Sequence, residues 1–512
     1  MSWTAGYVSE VGYTHGYYNE LNPALLRIAC LSAGVAPPQM HRFRYLELGF
    51  GQGLSINIHA AASDGEFYGI DFNPAHAANA LALASASGAK VVLYDDSFNE
   101  FLNRSDVGEF DYIGLHGIWS WISDENRKAI VDIVSRRLKV GGLLYMSYNC
   151  LPGWAAAMPL RHLMTMHSDF AGAEAGGMIG KINDALKFAQ QVVDSGALYF
   201  RANPAVAERL KMISKQDRSY LAHEYFNRDW DVMHFSEVVR WFEDAKLSFV
   251  ASAHLLDNIE GANLTADARK VLADIQHPIL RQSVRDYFVN QQFRRDVFIK
   301  GARRLSAFEF METLQSTTFA LMTDPTEIPM KVKTVLGEAT LQDSVYKPII
   351  EMLAENGFAP KKLGEISRDS KLQSLKFGDL AQALIVLIGA GHVHPTQQPS
   401  KEVRSHCLAL NRYIFECARG RGEIGWLASP LTGGGVTLNR VQQLFVLAMS
   451  SGKKTVSDQA QYAWQIIGPQ GGRLMRDGKQ LESADDNLAE LNQQAMAFSE
   501  KRVPILKALG VL

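Results

Sequence analysis

The chain has 512 residues, 47% hydrophobic and 21% charged, which is typical of soluble globular domains. Its 52 lysines and arginines nearly balance its 54 aspartates and glutamates, and the net charge of -2 offers no overall basic field to nucleic acid. There is no signal-peptide pattern, no apolar run of roughly 20 residues and no Cys-x-x-Cys pair. We therefore expect a cytoplasmic protein of about three or four domains, without membrane insertion or a nucleic-acid partner.

The first segment of about 23 residues is rich in aromatic side chains. Tyr7, Tyr13, Tyr17 and Tyr18 occur there together with His15. Aromatic residues are depleted in disordered tails, so this arm is predicted to be ordered. It either packs its rings on the core or forms a lid over a ligand, and a helix follows over residues 24–32.

A short apolar strand then runs into three glycines spaced two apart, Gly49, Gly51 and Gly53, and a helix follows over residues 54–62. Dinucleotide sites use Gly-x-Gly-x-x-Gly to bind a pyrophosphate. Here the third glycine comes one position earlier and Glu47 precedes the loop, which favours a ligand with a positive centre and no phosphate. S-adenosylmethionine is such a ligand, although a glycine turn without any ligand is also compatible with this segment.

The next two predicted strands also end in acids. Asp71 closes the strand at residues 67–71, and Asp95 and Asp96 follow the strand at residues 91–94. Further strands are predicted at residues 110–116 and 143–148, alternating with helices, as in a doubly wound parallel sheet. Because ligands of such sheets bind outside the carboxyl ends of the strands, these acids should converge on one crevice, with Asp71 at the ribose hydroxyls.

This combination resembles a class I S-adenosylmethionine-dependent methyltransferase. The matching segments are residues 47–53 (Glu-Leu-Gly-Phe-Gly-Gln-Gly), 69–71 (Gly-Ile-Asp), 95–97 (Asp-Asp-Ser), the strand with Asp111, and 138–144 (Leu-Lys-Val-Gly-Gly-Leu-Leu). The resemblance implies that Glu47 and the glycines lie near the amino-acid part of the cofactor and that Asp71 holds the ribose. It also implies that Asp95 or Asp96, followed by Ser97, meets the adenine.

Four further segments narrow the resemblance: residues 17–23, 71–76, 115–121 and 147–154. They are similar to bacterial methyltransferases that carry a methyltransferase regulatory domain, a family that includes rickettsial lysine methyltransferases acting on an outer-membrane protein. This implies an enzyme that methylates lysine side chains of a protein. The family usually has one acid in the segment 93–98, where this chain has two.

The predicted fold is α/β, with a Rossmann-like methyltransferase sheet, helical insertions and mainly helical later domains. The cofactor-binding core and aromatic arm take residues 1–155, and a helical insertion takes 156–220. Residues 221–301 complete the sheet with an antiparallel strand pair and an insertion at 256–293. A regulatory, winged-helix-like domain at 302–400 and a mainly helical domain at 401–512 complete the division, and a homodimer is possible.

Methyl transfer needs an unprotonated nucleophile in line with the methyl group. A lysine pKa near 10.4 leaves roughly one amine in 2,500 free at pH 7, and an apolar, aromatic pocket lowers that pKa by desolvation. His116 could orient the amine, accept its proton or contact the cofactor. Aromatic candidates for the acceptor rim are Tyr13, Tyr17, Tyr18, Trp119, Trp121, Tyr148 and Trp154. Of these, Tyr17, Trp119 and Tyr148 are predicted to be catalytic residues together with His116.

The segment of residues 223–227 (His-Glu-Tyr-Phe-Asn) is a second candidate for the substrate cleft. No metal site is predicted, because His392 and His394 have no third ligand nearby in the sequence. Two alternatives to protein lysine methylation remain: a methyltransferase for a small molecule or natural product, and a non-catalytic module that binds S-adenosylmethionine.

Overall fold

The computed structural model describes residues 14–172, 176–373, 375–420 and 422–512. Tyr7 and Tyr13 of the aromatic arm lie outside the described residues. The methyltransferase half begins with alternating helices and strands: α1 (Pro23–Ser32), β1 (Phe43–Leu48), α2 (Leu54–Ala62), β2 (Gly65–Ile70), α3 (Pro74–Ser87), β3 (Val91–Tyr94), α4 (Phe98–Leu102), β4 (Phe110–Leu115), α5 (Asp124–Arg137) and β5 (Leu138–Asn149).

Local sequence explains where several of these helices begin. Asn22 and Asn73 each accept a hydrogen bond from the backbone two residues on and are followed by proline, the combination that favours a helix start. Ser97 and Ser123 cap α4 and α5 with their side chains, which accept from the backbone three residues on. Asn73 and Ser97 each come three residues after a strand, so α3 and α4 start beside the carboxyl edge of the sheet.

Helices dominate the middle of the chain until two strands complete the sheet. The elements are α6 (Met158–Ala171), α7 (Gly177–Asp194), α8 (Leu198–Ala202), α9 (Pro204–Ile213), α10 (Arg218–Tyr225), α11 (Phe235–Trp241), β6 (Leu247–Ser252), α12 (Glu260–Asn263), α13 (Ala266–Ala273), α14 (Pro278–Val289) and β7 (Phe293–Lys300). The strand order is β3-β2-β1-β4-β5-β7-β6, with β7 antiparallel to both its neighbours and the other pairs parallel. The predicted Rossmann-like sheet and its closing antiparallel pair are confirmed.

Side chains alternate between the two faces of this sheet, and both faces are buried. Leu46 and Leu48 face a cluster with Ile113, Leu144 and Phe298, whereas Tyr45 belongs to the cluster on the other side. The second cluster also contains Tyr112, Tyr145, Val297, Ile28 and Ile56. Helices therefore cover both faces, and a ligand can reach the sheet at its strand ends.

The remaining chain first forms a small mixed unit and then a mainly helical one. The first contains α15 (Ala307–Ser316), β8 (Thr318–Leu321), β9 (Lys331–Thr334), β10 (Gly337–Thr340), α16 (Asp343–Phe358), β11 (Lys361–Lys362), α17 (Leu363–Ile366), α18 (Phe377–Gly389) and β12 (Val393–Thr396), with β11, β8 and β12 in one antiparallel sheet. The second contains α19 (Lys401–Cys417), β13 (Trp426–Ser429), β14 (Gly434–Thr437), α20 (Arg440–Ser450), α21 (Val456–Ile467), β15 (Met475–Arg476), β16 (Lys479–Gln480), α22 (Ala484–Ala497) and α23 (Val503–Ala508). These elements agree with the mainly helical later domains that the sequence predicts, while the predicted domain boundaries stay a prediction.

The hairpin of β13 and β14 packs against α2 and the N-terminal arm. Asn22 Nδ2 donates to the Thr432 carbonyl at 3.3 Å, and Ser63 Oγ donates to the Gly433 carbonyl at 3.3 Å. The glycine-rich segment that begins at Thr432 is therefore a hairpin turn that fixes the arm on the core. Among the described residues, no helix is long and apolar enough to cross a membrane.

Candidate active site

A cavity lies at the carboxyl ends of β1, β2, β3 and β4. Its walls come from the glycine loop, the two strand ends that follow it, the segment after β4, the N-terminal arm and the end of α10. Lining residues include Tyr18, Glu47, Gly49, Gly51, Asp71, His76, Asp96, Ser97, His116, Trp121, Asn126, His223, Glu224 and Asp229. The structure thus brings most of the predicted site residues to one place.

The glycine loop passes close to other parts of the core. Gly49 has φ of +76°, and a Cβ atom there would lie 2.4 Å from Ile118 Cδ1. Gly53, which is not a lining residue, has φ of +75°, and a Cβ atom there would lie 2.3 Å from the Ala80 Cβ. Any larger residue would therefore clash and strain the backbone, so the loop keeps bare backbone at the cavity floor.

Asp71 ties the second strand end to this loop. Its Oδ2 accepts from Gly51 N at 2.8 Å, and its Oδ1 accepts from Asn73 N at 3.0 Å and lies 3.1 Å from His76 Nδ1. The carboxylate faces the cavity while fixing the loop, an arrangement suited to a group that holds ribose hydroxyls. His76 lies in the segment 71–76, for which the resemblance implies no role of this histidine, and it also lines the cavity.

Glu47 is buried at the floor with no cationic partner among the described residues. Its side chain is 3% exposed, and its nearest donor is the Tyr45 hydroxyl, 3.5 Å from Oε2. Burial raises the pKa of Glu47 to about 8, the Tyr45 hydroxyl opposes this shift, and the charge of Asp71 adds to it. A ligand with an ammonium group would give this carboxylate the partner that it lacks, so the site fits the amino-acid end of S-adenosylmethionine.

Of the two adjacent acids after β3, only Asp96 lines the cavity. Asp95 is exposed and outside the lining, so its predicted cofactor contact is corrected. Neighbouring residues in an extended segment point to opposite sides, which explains why only one faces inward. Asp96 pairs with Arg104, whose Nη2 donates to Oδ1 at 3.0 Å, and Ser97 at the start of α4 also lines the cavity.

His116 follows β4 and is held from two sides. Its Nδ1 pairs with the Tyr145 hydroxyl at 2.7 Å, and its ring stacks on Tyr18 with 3.8 Å between centroids. Burial lowers the pKa of His116 to about 4, although the charge of Glu20 opposes this shift. A neutral imidazole with this pKa is a poor proton acceptor at neutral pH, so His116 is better suited to shaping the cavity than to acting as a base.

The other three predicted catalytic side chains lie outside this cavity, and the prediction is corrected. The Tyr17 hydroxyl accepts from Gly435 N at 2.7 Å and pairs with His59 Nε2 at 2.9 Å, which places Tyr17 under the hairpin of β13 and β14. Trp119 is 1% exposed and packs on Trp241 and Phe242.

Tyr148 lies within β5 on the face away from His116, and its hydroxyl donates to Asp296 Oδ2 at 2.7 Å. Trp154, predicted for the aromatic rim, instead stacks under the Arg209 guanidinium at 3.9 Å. Only Tyr18 and Trp121 of the described rim candidates line the cavity. The remaining candidate, Tyr13, lies outside the described residues.

The lining of the cavity is acidic. Five carboxylates line it, from Glu47, Asp71, Asp96, Glu224 and Asp229, and no lysine or arginine does so among the described residues. The Asp71 carboxylate accepts a hydrogen bond from the glycine loop. Asp96 forms an ion pair with Arg104, and Asp229 forms one with Arg228. Glu47 and Glu224 have no ion pair among the described residues. The cavity could therefore bind a cationic group at each of these two carboxylates.

The sheet and its cleft define a class I S-adenosylmethionine-dependent methyltransferase, and S-adenosylmethionine is its cofactor. A family model of the methyltransferase domain matches residues 46–142, and a model of the predicted methyltransferase regulatory domain matches residues 217–300. The chain belongs to the family of methyltransferases that carry this regulatory domain. The regulatory domain therefore lies at residues 217–300, from α10 to β7, and its predicted position at residues 302–400 is corrected.

Relatives are found in several bacteria. An uncharacterized protein of Synechocystis sp. is 41% identical over 516 residues and covers 100% of both chains. An uncharacterized protein of Rickettsia prowazekii is 26% identical over 298 residues, which are 56% of this chain and 51% of that protein. The structure of PKMT2 from Rickettsia typhi in complex with AdoHcy matches with a TM-score of 0.70 at 19% identity, covering 97% of this chain and 100% of that one.

Proposed function

We propose that the protein transfers methyl groups to the side-chain amines of lysines in a protein substrate. The observation that carries this proposal is the acidic cavity, with five carboxylates and no lysine or arginine among its described lining residues. Such a lining attracts a cationic acceptor and repels phosphate-bearing ones. The resemblance to rickettsial lysine methyltransferases supports the same acceptor.

The cofactor supplies the methyl group. We infer that Glu47 and the loop from Gly49 to Gly53 hold its amino-acid end, that Asp71 holds its ribose, and that Asp96 with Ser97 meets its adenine. Tyr18 and Trp121 line the same cavity, and aromatic faces can attract the ammonium of a lysine and cover its methylene stem. Excluding water in this way reduces the cost of removing the ammonium proton, about 4.6 kcal/mol at pH 7 for a free lysine.

The test is transfer of label from tritiated S-adenosylmethionine to an extract of the parent cell. Digestion of the labelled protein fraction and mass spectrometry should find the label in methylated lysine. Asp71→Ala, which removes a carboxylate that fixes the glycine loop, should abolish labelling at the same protein concentration. Label confined to small molecules would instead support a small-molecule acceptor, and binding without any labelling would support a non-catalytic module.

A cytoplasmic location and a homodimer stay predictions from the sequence. They would be tested by fractionation of the parent cell and by the mass of the purified protein in solution. Neither is needed for the chemistry proposed above.

A further inference from the structure

The C-terminal end of α10 brings to the cavity a carboxylate that, like Glu47, has no ion pair among the described residues. Asp217 caps this helix by accepting from Ser219 N at 2.8 Å and Tyr220 N at 3.1 Å. His223 and Glu224, in its last turn, then line the cavity. Since α10 belongs to the helical segments before β6, it adds to the cavity a group that the sheet itself does not supply.

The Glu224 carboxylate has no hydrogen bond or ion pair to any described residue. The cation whose charge acts on it is Arg209 on α9, without a hydrogen bond between the two side chains. The Arg209 guanidinium is already engaged, since it donates to the Tyr225 hydroxyl at 3.3 Å and to Gln292 Oε1 at 3.2 Å. It also stacks on the Trp154 ring. A half-buried carboxylate facing a cavity without a partner is costly, and a cationic ligand would offset that cost.

Two unpaired carboxylates face one cavity, and the cofactor accounts for one of them. The amino-acid end of the cofactor carries one ammonium group, which Glu47 suits because it lies under the glycine loop. Glu224 lies on a different element, beside Tyr220, which is also close to Tyr18. It is therefore placed at the part of the cavity where Tyr18 and His116 form the wall.

We propose that Glu224 binds the ammonium group of the acceptor lysine and takes one of its protons before methyl transfer. This inference rests on the proposed function and assigns a residue to its acceptor side. In the proton step, one N–H bond of the lysine ammonium breaks and one O–H bond forms on a Glu224 carboxylate oxygen. The products are a neutral amine with a free electron pair and a neutral carboxylic acid, and no other bond changes.

The acidity of Glu224 suits this role. Burial raises its pKa to about 7, and the charge of Arg209 opposes the shift. A base with a pKa near the working pH is the most effective proton acceptor. The charged and titratable groups around it are Arg209 on α9, Tyr220, His223 and Tyr225 on α10, and, across the cavity, Tyr18, Glu47, Asp71, His76, Asp96, His116 and Asp229.

The first test measures binding of a small cation and needs no protein acceptor. The n-butylammonium ion reproduces the end of a lysine side chain, and n-butanol has the same length without the charge. With saturating S-adenosylhomocysteine, saturation-transfer NMR should show that Glu224→Gln weakens n-butylammonium binding about tenfold to a hundredfold, as expected for loss of a charged hydrogen-bond partner. Binding of n-butanol should not change.

Glu208→Gln is the matched control, because Glu208 is an exposed carboxylate on α9 paired with Lys211. It should bind n-butylammonium as the wild type does. Thermal unfolding of Glu224→Gln should show a folded protein of at least wild-type stability, since the change removes an unpaired, half-buried charge. Equal n-butylammonium affinity of the wild type and Glu224→Gln, including no binding by either, would overturn the proposal.

The second test uses the labelled acceptor protein. For the wild type, log kcat/KM should rise with pH up to about 7, as Glu224 ionises, and then level off. Glu224→Gln should have a kcat/KM lowered at least tenfold at pH 7 and should continue to rise towards pH 9, because it depends on lysines that are already neutral. If the wild type labels no lysine, the proposed function fails. If it labels lysine and Glu224→Gln keeps the wild-type rate and profile, only the role of Glu224 fails.

Discussion

The protein should release a proton when it binds S-adenosylhomocysteine, and replacing Glu47 by Gln should abolish this release. Glu47 lies on β1 and is paired with Gly69 of β2 and Gly114 of β4. Because both partners are glycines, no side chain of these two residues lies between Glu47 and a ligand. Burial raises its pKa to about 8, which leaves the carboxyl about nine-tenths protonated at pH 7. An ammonium beside it favours the ionised form, and the proton must then leave.

The expected size of the effect follows from this pKa. Binding at pH 7 should release up to about 0.9 proton per ligand, and the affinity should rise about ninefold between pH 6 and pH 7 as Glu47 ionises. Titration calorimetry in phosphate and in Tris at pH 7 measures the release, because the two buffers take up protons with different enthalpies. Glu47→Gln should show no difference between the buffers and no rise in affinity. The exposed Glu109 offers a control in Glu109→Gln, which should behave as the wild type.

The same raised pKa predicts how the stability of the free protein depends on pH. A carboxyl whose pKa is higher in the folded state stabilises the fold below its ordinary pKa of 4.5, and this contribution is lost as the pH rises to about 8. Glu47→Gln should therefore unfold at a higher temperature than the wild type at pH 8. Wild-type binding that shows no buffer dependence, with Glu47→Gln equally tight, would refute the reasoning about this residue.

Three further substitutions and one control substitution test the loop and the arm. Asp71→Asn cannot accept from Gly51 N and its other donors together, so calorimetry should show at least tenfold weaker binding of S-adenosylhomocysteine, and unchanged affinity would contradict this role. Gly435→Ala would place a Cβ atom 2.8 Å from the Tyr17 ring and should lower the free energy of unfolding in urea by about 1–3 kcal/mol. Gly180→Ala is the control: no atom of the described residues lies within 4 Å of the added Cβ, so the free energy of unfolding should not fall. Tyr17→Phe leaves the Gly435 N–H without its acceptor and should cost about 1–3 kcal/mol in the same assay, and a wild-type value would count against the contact.

The sheet was predictable because its signals are local. Apolar strands of four to eight residues, an acid at three successive strand ends and glycines at fixed spacing are all readable without knowing the partners of each strand. The crevice at the carboxyl edge follows from the parallel arrangement alone. Glu47, Asp71 and Ser97 line the cavity for this reason.

The aromatic residues were not predictable, because their direction depends on distant contacts. Tyr17 and Tyr18 are adjacent, yet Tyr17 packs under a hairpin more than 400 residues later while Tyr18 stacks on His116. Within β5, Tyr145 pairs with His116 and Tyr148 points to the opposite face, towards Asp296. Successive side chains of a strand point to opposite faces of the sheet, but the sequence does not show which of the two faces lies beside the cavity.

A crystal structure of the protein with S-adenosylhomocysteine tests the central claim most directly. We expect the amino-acid end of the ligand against Glu47 and the glycine loop, the ribose at Asp71 and the adenine beside Asp96. The thioether sulfur should face the part of the cavity that Glu224 lines. A ligand bound elsewhere, or one whose sulfur faces away from Glu224, would contradict the account.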